Sequence, residues 1–176
     1  MKREANTPGK PPSTSTLKKR VPLQGVQMDA KTAEQLIEDI AGVLNNRKEL
    51  LDKISKKFPR AHDGHRSFAQ YLRQTKKFQA ALLHELSAYG DGLAGPDPHN
   101  AYNDYWRTAL KKWESINQPR LIPFWRTLET LLRDMYDQTL QRGSILPAPA
   151  RDLLQEQRTA LEAAQPGGKK QSGPLP

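Results

Sequence analysis

The chain has 176 residues, with 28 Lys and Arg against 19 Asp and Glu, a formal net charge of +9 and a hydrophobic share of 36%. This length fits about one domain, and the low hydrophobic share predicts that part of the chain stays outside its core. The absence of cysteine excludes disulfides, thiolate metal sites and cysteine nucleophiles, and the absence of an apolar run of roughly 20 residues predicts a cytoplasmic protein without a transmembrane segment.

The basic character lies mostly at the two ends of the chain. Residues 1–28 are predicted to form a disordered basic arm and residues 166–176 a disordered tail, because Pro, Gly, Ser and Thr dominate both. The folded part, residues 29–165, is then nearly balanced, so any contact with nucleic acid or another anionic surface is expected through the arm rather than through a basic face. The first interpretation is that the tails only keep the chain in solution, and contact through the arm is the alternative. The arm's basic residues are Lys2, Arg3, Lys10, Lys18, Lys19 and Arg20.

Two long helices are predicted next. Apolar residues at steps of three and four indicate one helix within residues 29–58, begun by a capping box of Thr32 and Gln35. A break rich in Pro and Gly follows, and Asp63 is the predicted cap of a second helix over residues 65–89.

Three further segments complete the predicted order. A Gly- and Pro-rich loop at residues 90–98 leads to a short aromatic helix within 100–117. A third long helix is expected over 120–142, with Pro123 in its first turn, and a last helix follows Pro149. No segment alternates with period two, so the predicted class is all-α: a ferritin-like four-helix bundle of two helical hairpins joined by a long crossover containing a short helix.

The spacing of several residues resembles a bacterial ferritin-like family of unknown function, over roughly residues 34–164. The stretch from Glu129 to Leu140 matches the family pattern without gaps. Trp106 lies 23 residues before Glu129, as the corresponding Trp does in the family. Trp125 and Arg126 depart from the family pattern, which tends to a small residue followed by acidic ones. The other residues that carry the resemblance are Phe68, Phe78, Leu82, Gly90, Leu121, Tyr136, Leu146, Pro147, Arg151, Leu154 and Gln157. The resemblance implies a fold, and no established activity.

A di-iron centre is not predicted, because such bundles use Glu-x-x-His pairs and this chain contains none. Glu49 and Glu129 remain weak metal candidates. His62 and His65 are a second weak pair, since they would share a helix face if the second helix began early. No cofactor and no catalytic residue are predicted.

The aromatic residues of the crossover are interpreted mainly as packing, and alternatively as a surface for self-association or a partner. They are Tyr102, Tyr105, Trp106 and Trp113. A homodimer is expected by analogy with ferritin-like bundles. The first functional hypothesis is a non-enzymatic binding or assembly module, related to stress by family-level analogy. The alternatives are nucleic-acid or anionic-surface binding through the arm, and metal binding with atypical ligands.

Overall fold

The computed structural model describes residues 32–63, 66–88 and 100–164. The predicted arm, the C-terminal tail, His65 and the Gly- and Pro-rich loop therefore lie outside the described residues. The described part is mostly helical, which confirms the predicted all-α class. No helix within these ranges is long and apolar enough to cross a membrane.

Helix α1 spans Ala33–Lys57 and begins as predicted. The Thr32 hydroxyl accepts from the Gln35 backbone N–H while the Gln35 side chain accepts from the Thr32 N–H, a complete capping box. Its apolar stripe is fully buried from Leu36 to Ile54. The helix ends at Lys57, and its C-cap, Phe58, directly precedes Pro59.

The turn after α1 differs from the prediction, which contained no strand. β1 (His62–Asp63) pairs antiparallel with β2 (Arg66–Ser67), two residues on each side. α2 spans Phe68–Ser87 and is capped by Ser67, which forms a capping box with Gln70. The predicted cap, Asp63, was wrong because the strand pair delays the start of the helix to Phe68.

The remaining helices follow the predicted order. α3 (Ala101–Lys112) continues into a 3-10 turn at Trp113–Ser115. α4 (Gln118–Gln141) starts two residues earlier than predicted because Asn117 caps it, so Pro123 lies inside the helix rather than in its first turn. α5 spans Ala148–Ala163 and carries Pro149 within its first two positions, where the missing N–H costs little.

The helices pack side by side with defined directions. α1 contacts α2, α3 and α4, α4 contacts α5, and α5 contacts α2. α2 and α5 are antiparallel, because the Gln74 side chain donates to the Ala160 carbonyl while that of Gln157 donates to the Phe78 carbonyl. α3 runs parallel to α1: Asn103 donates to the carbonyl of Asp39, and further along both helices the Lys57 ammonium donates to the carbonyl of Glu114, in the 3-10 turn after α3. Trp125 lies at the centre of the core, with Phe68, Tyr71 and Trp106 packed around its ring.

Candidate functional site

A buried ion pair joins α1 to α4 in the interior. Arg47 is fully buried and meets Glu129 through two hydrogen bonds, Nε to Oε1 at 2.8 Å and Nη2 to Oε2 at 3.0 Å. The planar guanidinium matches the carboxylate in this bidentate form, which is the strongest geometry for such a pair. The Arg47 side chain thereby places a permanent charge inside the helical core.

The other contacts of Arg47 come from α2 and α4. Its Nη1 donates to the Thr75 hydroxyl, which in turn donates to the Tyr71 carbonyl at 2.7 Å. The guanidinium also lies 5.9 Å from the centre of the Tyr71 ring and 5.4 Å from that of Trp125. Two aromatic faces, a hydroxyl and a carboxylate thus compensate the cost of burying this cation.

A second buried polar contact lies between α4 and α5. The Tyr136 hydroxyl donates to Gln157 Oε1 at 2.6 Å, and Gln157 Nε2 donates to the Phe78 carbonyl. Burial raises the pKa of Tyr136 well above its ordinary value, while Arg47 lowers it and Glu129 raises it by smaller amounts. This phenol therefore stays neutral and acts as a hydrogen-bond donor that fixes the register of α5.

A cavity of about 240 Å³ lies beside the ion pair, between α2, α4 and α5. Arg126 Nη2 donates to Asp63 Oδ1 at 3.2 Å, and the Tyr71 hydroxyl lies 3.4 Å from Asp63 Oδ2 and 3.3 Å from the Ala164 carbonyl. Burial, followed by the charges of Asp63 and Glu129, raises the pKa of Tyr71. The lining residues are Asp63, Tyr71, Arg126, Glu129, Thr130, Leu161 and Ala164.

Glu49 and Glu129, two of the residues predicted as weak metal ligands, are not brought together. Glu49 is half exposed on α1 and pairs with Lys53 at 2.8 Å, whereas Glu129 is held by Arg47. His62 lies exposed in β1 and outside α2, which begins at Phe68, and His65 lies outside the described residues. Within the described ranges, no group of three or more His, Cys, Asp or Glu could hold a metal ion.

The aromatic residues of the crossover divide between the core and the surface. Tyr102, Trp106 and Trp113 are at most 7% exposed and pack against the chain's own helices. Tyr105 is 45% exposed. Of the four, Tyr105 alone has a ring exposed enough to contact a partner. The other three belong to the hydrophobic core.

Charge is separated along the helices, and this distinguishes two ends of the folded part. In α1, residues 33–44 carry three acidic and no basic residues, whereas residues 45–57 carry five Lys and Arg and two acidic residues. In β2 and the adjoining part of α2, residues 66–77 carry four Lys and Arg and no Asp or Glu. The second half of α3 is also basic, because it carries Arg107, Lys111 and Lys112. α2 runs antiparallel to α1, because Arg47 contacts Thr75 while Asn45 contacts Gln79. Since α3 runs parallel to α1, these basic segments meet at the same end.

We define the basic end by the Lys and Arg that gather there. The Lys57 ammonium donates to the Glu114 carbonyl and so links the end of α1 to the turn after α3. This contact keeps the basic residues of α1 and those of α3 at the same end. All members except the half-buried Arg66 are exposed. They are Lys56, Lys57, Arg60, Arg66, Arg73, Lys111, Lys112 and Arg120.

The opposite, acidic end brings carboxylates close to one another. Burial raises the pKa of Glu38, and the nearby charges of Glu34 and Asp39 raise it further. Burial also raises the pKa of Asp134, with Arg133 opposing the shift and Asp137 adding to it. The nearly balanced total charge of the folded part therefore conceals two oppositely charged ends.

Comparisons with protein-family models, with curated proteins and with solved structures find no match to this chain. Its function is therefore inferred from the geometry and charge described above.

Proposed function

We propose that the protein is a ferritin-like helical bundle that binds nucleic acid through the phosphate backbone, using its basic end. The observation that carries this proposal is the separation of charge along α1, α2 and α3. A nucleic-acid surface is a regular array of phosphates, and Lys and Arg that neutralise them supply most of the non-specific binding free energy.

The helix directions support the ferritin-like part of the proposal. The α1–α2 pair and the α4–α5 pair are each joined by a short turn, and α3 runs back along α1 between them. Ferritin-like bundles have this layout of two hairpins with a lengthwise crossover. In this chain a carboxylate of the interior, Glu129, is held by Arg47, so a metal ion there would have to displace a buried guanidinium.

Helix dipoles explain only part of the basic end. Lys56, Lys57, Lys111 and Lys112 lie in the last turns of α1 and α3, where cations are favoured. Arg66 precedes the start of α2 and Arg120 lies in the first turn of α4, where a cation is unfavourable and where the first turns hold no acidic residue. Basic residues at helix N-termini are expected if the surface serves an anionic partner.

A phosphate polymer fits this end better than a membrane does. Membrane-surface helices combine basic residues with exposed apolar anchors. The large apolar residues exposed in the described ranges are Leu83, Tyr105 and Ile145, and none of them lies at the basic end. The surface therefore offers charge without an apolar anchor.

The test measures the affinity of the full chain for a labelled DNA duplex by fluorescence anisotropy, at salt concentrations from about 50 to about 200 mM. In the test variant, Arg60, Lys112 and Arg120 are replaced by Gln. We expect the affinity to fall roughly tenfold or more at the lowest salt. The salt dependence should weaken by about 0.9 in log–log slope for each phosphate that the variant no longer neutralises.

A matched variant removes the same charge elsewhere. Arg133, Arg142 and Arg151 lie toward the acidic end, in the second half of α4, directly after it and near the start of α5. With all three replaced by Gln, the affinity for DNA is expected to stay close to that of the wild type. Equal weakening in the two triple variants would show that only net charge matters and would contradict the proposal. Binding to anionic vesicles with no binding to the duplex would contradict it as well.

A third variant separates the arm from the basic end. With the six basic residues of the arm replaced by Gln, the difference between the two triple variants should persist. Its disappearance would show that the arm alone binds DNA, which is the alternative interpretation of the sequence. The described part of the chain begins at Thr32, which caps α1 at the acidic end.

A further inference from the structure

We propose that the cavity between α2, α4 and α5 binds a small organic cation, a primary ammonium on a short hydrocarbon chain, with Asp63 as its main contact. The cavity volume of about 240 Å³ limits the size of the ligand. Apolar cavities of about 150 Å³ hold benzene, and pockets for drug-sized ligands begin at roughly 300 Å³. The cavity therefore suits a molecule slightly larger than benzene.

The Asp63 carboxylate is the anchor for the cation. Its side chain is only 3% exposed, and a buried carboxylate needs close partners to offset the loss of water. Among the described residues its partners are Arg126 at 3.2 Å and the Tyr71 hydroxyl at 3.4 Å. Both distances exceed the roughly 2.7–2.9 Å of a strong charge-assisted hydrogen bond. The carboxylate is therefore buried at the cavity with room for a closer donor.

Arg126 can give up its place on this carboxylate. Its side chain is 58% exposed, so the guanidinium can turn into water at small cost, as expected for a surface ion pair. An ammonium entering the cavity would then replace it on Asp63. The Ala164 carbonyl, which the Tyr71 hydroxyl approaches only to 3.3 Å, offers a second acceptor.

The remaining lining favours a cation with a hydrocarbon chain. Glu129 adds a second carboxylate, shared with Arg47, and Leu161 supplies an apolar wall. An anion entering the cavity would face both carboxylates. A metal ion would need further ligands, and the described residues contain no group of three that could hold one.

The test is a titration of the full chain with n-butylammonium, followed by the NMR signals of the methyl groups of Leu161 and Ala164. 1-Butanol and butyrate serve as the neutral and anionic probes of the same length. We expect saturable shifts with n-butylammonium, binding of 1-butanol that is weaker by roughly tenfold, and none with butyrate. Equal binding of 1-butanol and n-butylammonium, or no binding of n-butylammonium, would overturn the proposal.

Four variants locate the site. Asp63→Asn should weaken binding by roughly tenfold, and Arg126→Met should tighten it because the competing guanidinium is gone. Asp137→Asn removes a carboxylate outside the cavity and should leave the affinity unchanged. Leu161→Phe fills the cavity but keeps every charge, so it tests the location even if Asp63→Asn fails to fold. Undiminished binding in a folded Leu161→Phe variant would contradict the assignment.

This site is independent of the proposed nucleic-acid binding. The titration contains no nucleic acid, and the DNA experiment changes no residue that lines the cavity. Failure of either proposal therefore leaves the other intact.

Discussion

Removal of the carboxylate opposite Arg47 should strongly destabilise the fold. In Glu129→Gln the side chain keeps its size but loses its charge, and the fully buried guanidinium of Arg47 loses the partner that holds it by two hydrogen bonds. Breaking one side of a buried ion pair costs about 3–5 kcal/mol, since an uncompensated charge stays in the interior. This is a large share of the roughly 5–15 kcal/mol by which a domain is stable.

Urea unfolding followed by circular dichroism measures this change in stability. With an m-value of roughly 2 kcal/mol per molar, the midpoint should fall by roughly 1.5–2.5 M. The control is Glu49→Gln, which removes a half-exposed carboxylate from its surface pair with Lys53. Its expected cost is below about 1 kcal/mol.

A double-mutant cycle isolates the ion pair itself. Arg47→Met alone leaves Glu129 without its guanidinium, and the double variant Arg47→Met with Glu129→Gln leaves no unpaired charge. We expect the double variant to be less destabilised than the sum of the single variants by about 3 kcal/mol. Additive effects, or a Glu129→Gln cost as small as that of Glu49→Gln, would show that the pair is neither buried nor coupled.

Three further predictions follow from single contacts. Tyr136→Phe should cost roughly 1–3 kcal/mol in urea unfolding because it removes the donor to buried Gln157; a cost below about 0.5 kcal/mol would contradict that bond. Gly143→Ala should lower stability by about 1 kcal/mol, because the new Cβ would lie 2.9 Å from the Leu140 carbonyl oxygen; an unchanged midpoint would contradict the tight approach. Burial raises the pKa of Asp134 above 3.8 in the folded state, so its ionised form destabilises the fold. Asp134→Asn should therefore raise the melting temperature at pH 7, and the gain should vanish below about pH 3.8; a gain that persists there would contradict this cause.

The sequence contained enough information for the helices and their order. Local signals placed the capping box at Thr32 and Gln35 and the helix ends near Pro and Gly, because these features depend on residues a few positions apart. The start of α2 was missed because the β1–β2 pair competes with a helix over the same residues, and Ser67 with Gln70 carried the overlooked capping signal.

The interior ion pair and the basic end needed more than local signals. Arg47 and Glu129 are 82 positions apart, and an Arg on an otherwise apolar helix face was the available hint. The basic end was overlooked because a sum of charge over the whole folded part hides its distribution. The basic end becomes visible when charge is counted separately in each half of each helix and α2 is placed antiparallel to α1.

A titration of the full chain with a DNA duplex, followed by its backbone amide signals in NMR spectra, locates the binding surface residue by residue. We expect the perturbed amides to cluster at the basic end, within residues 56–63, 66–73 and 111–120, while residues 33–39 and 134–141 at the acidic end stay unchanged. Perturbations confined to residues 1–31, or concentrated at the acidic end, would show that the basic end does not bind DNA.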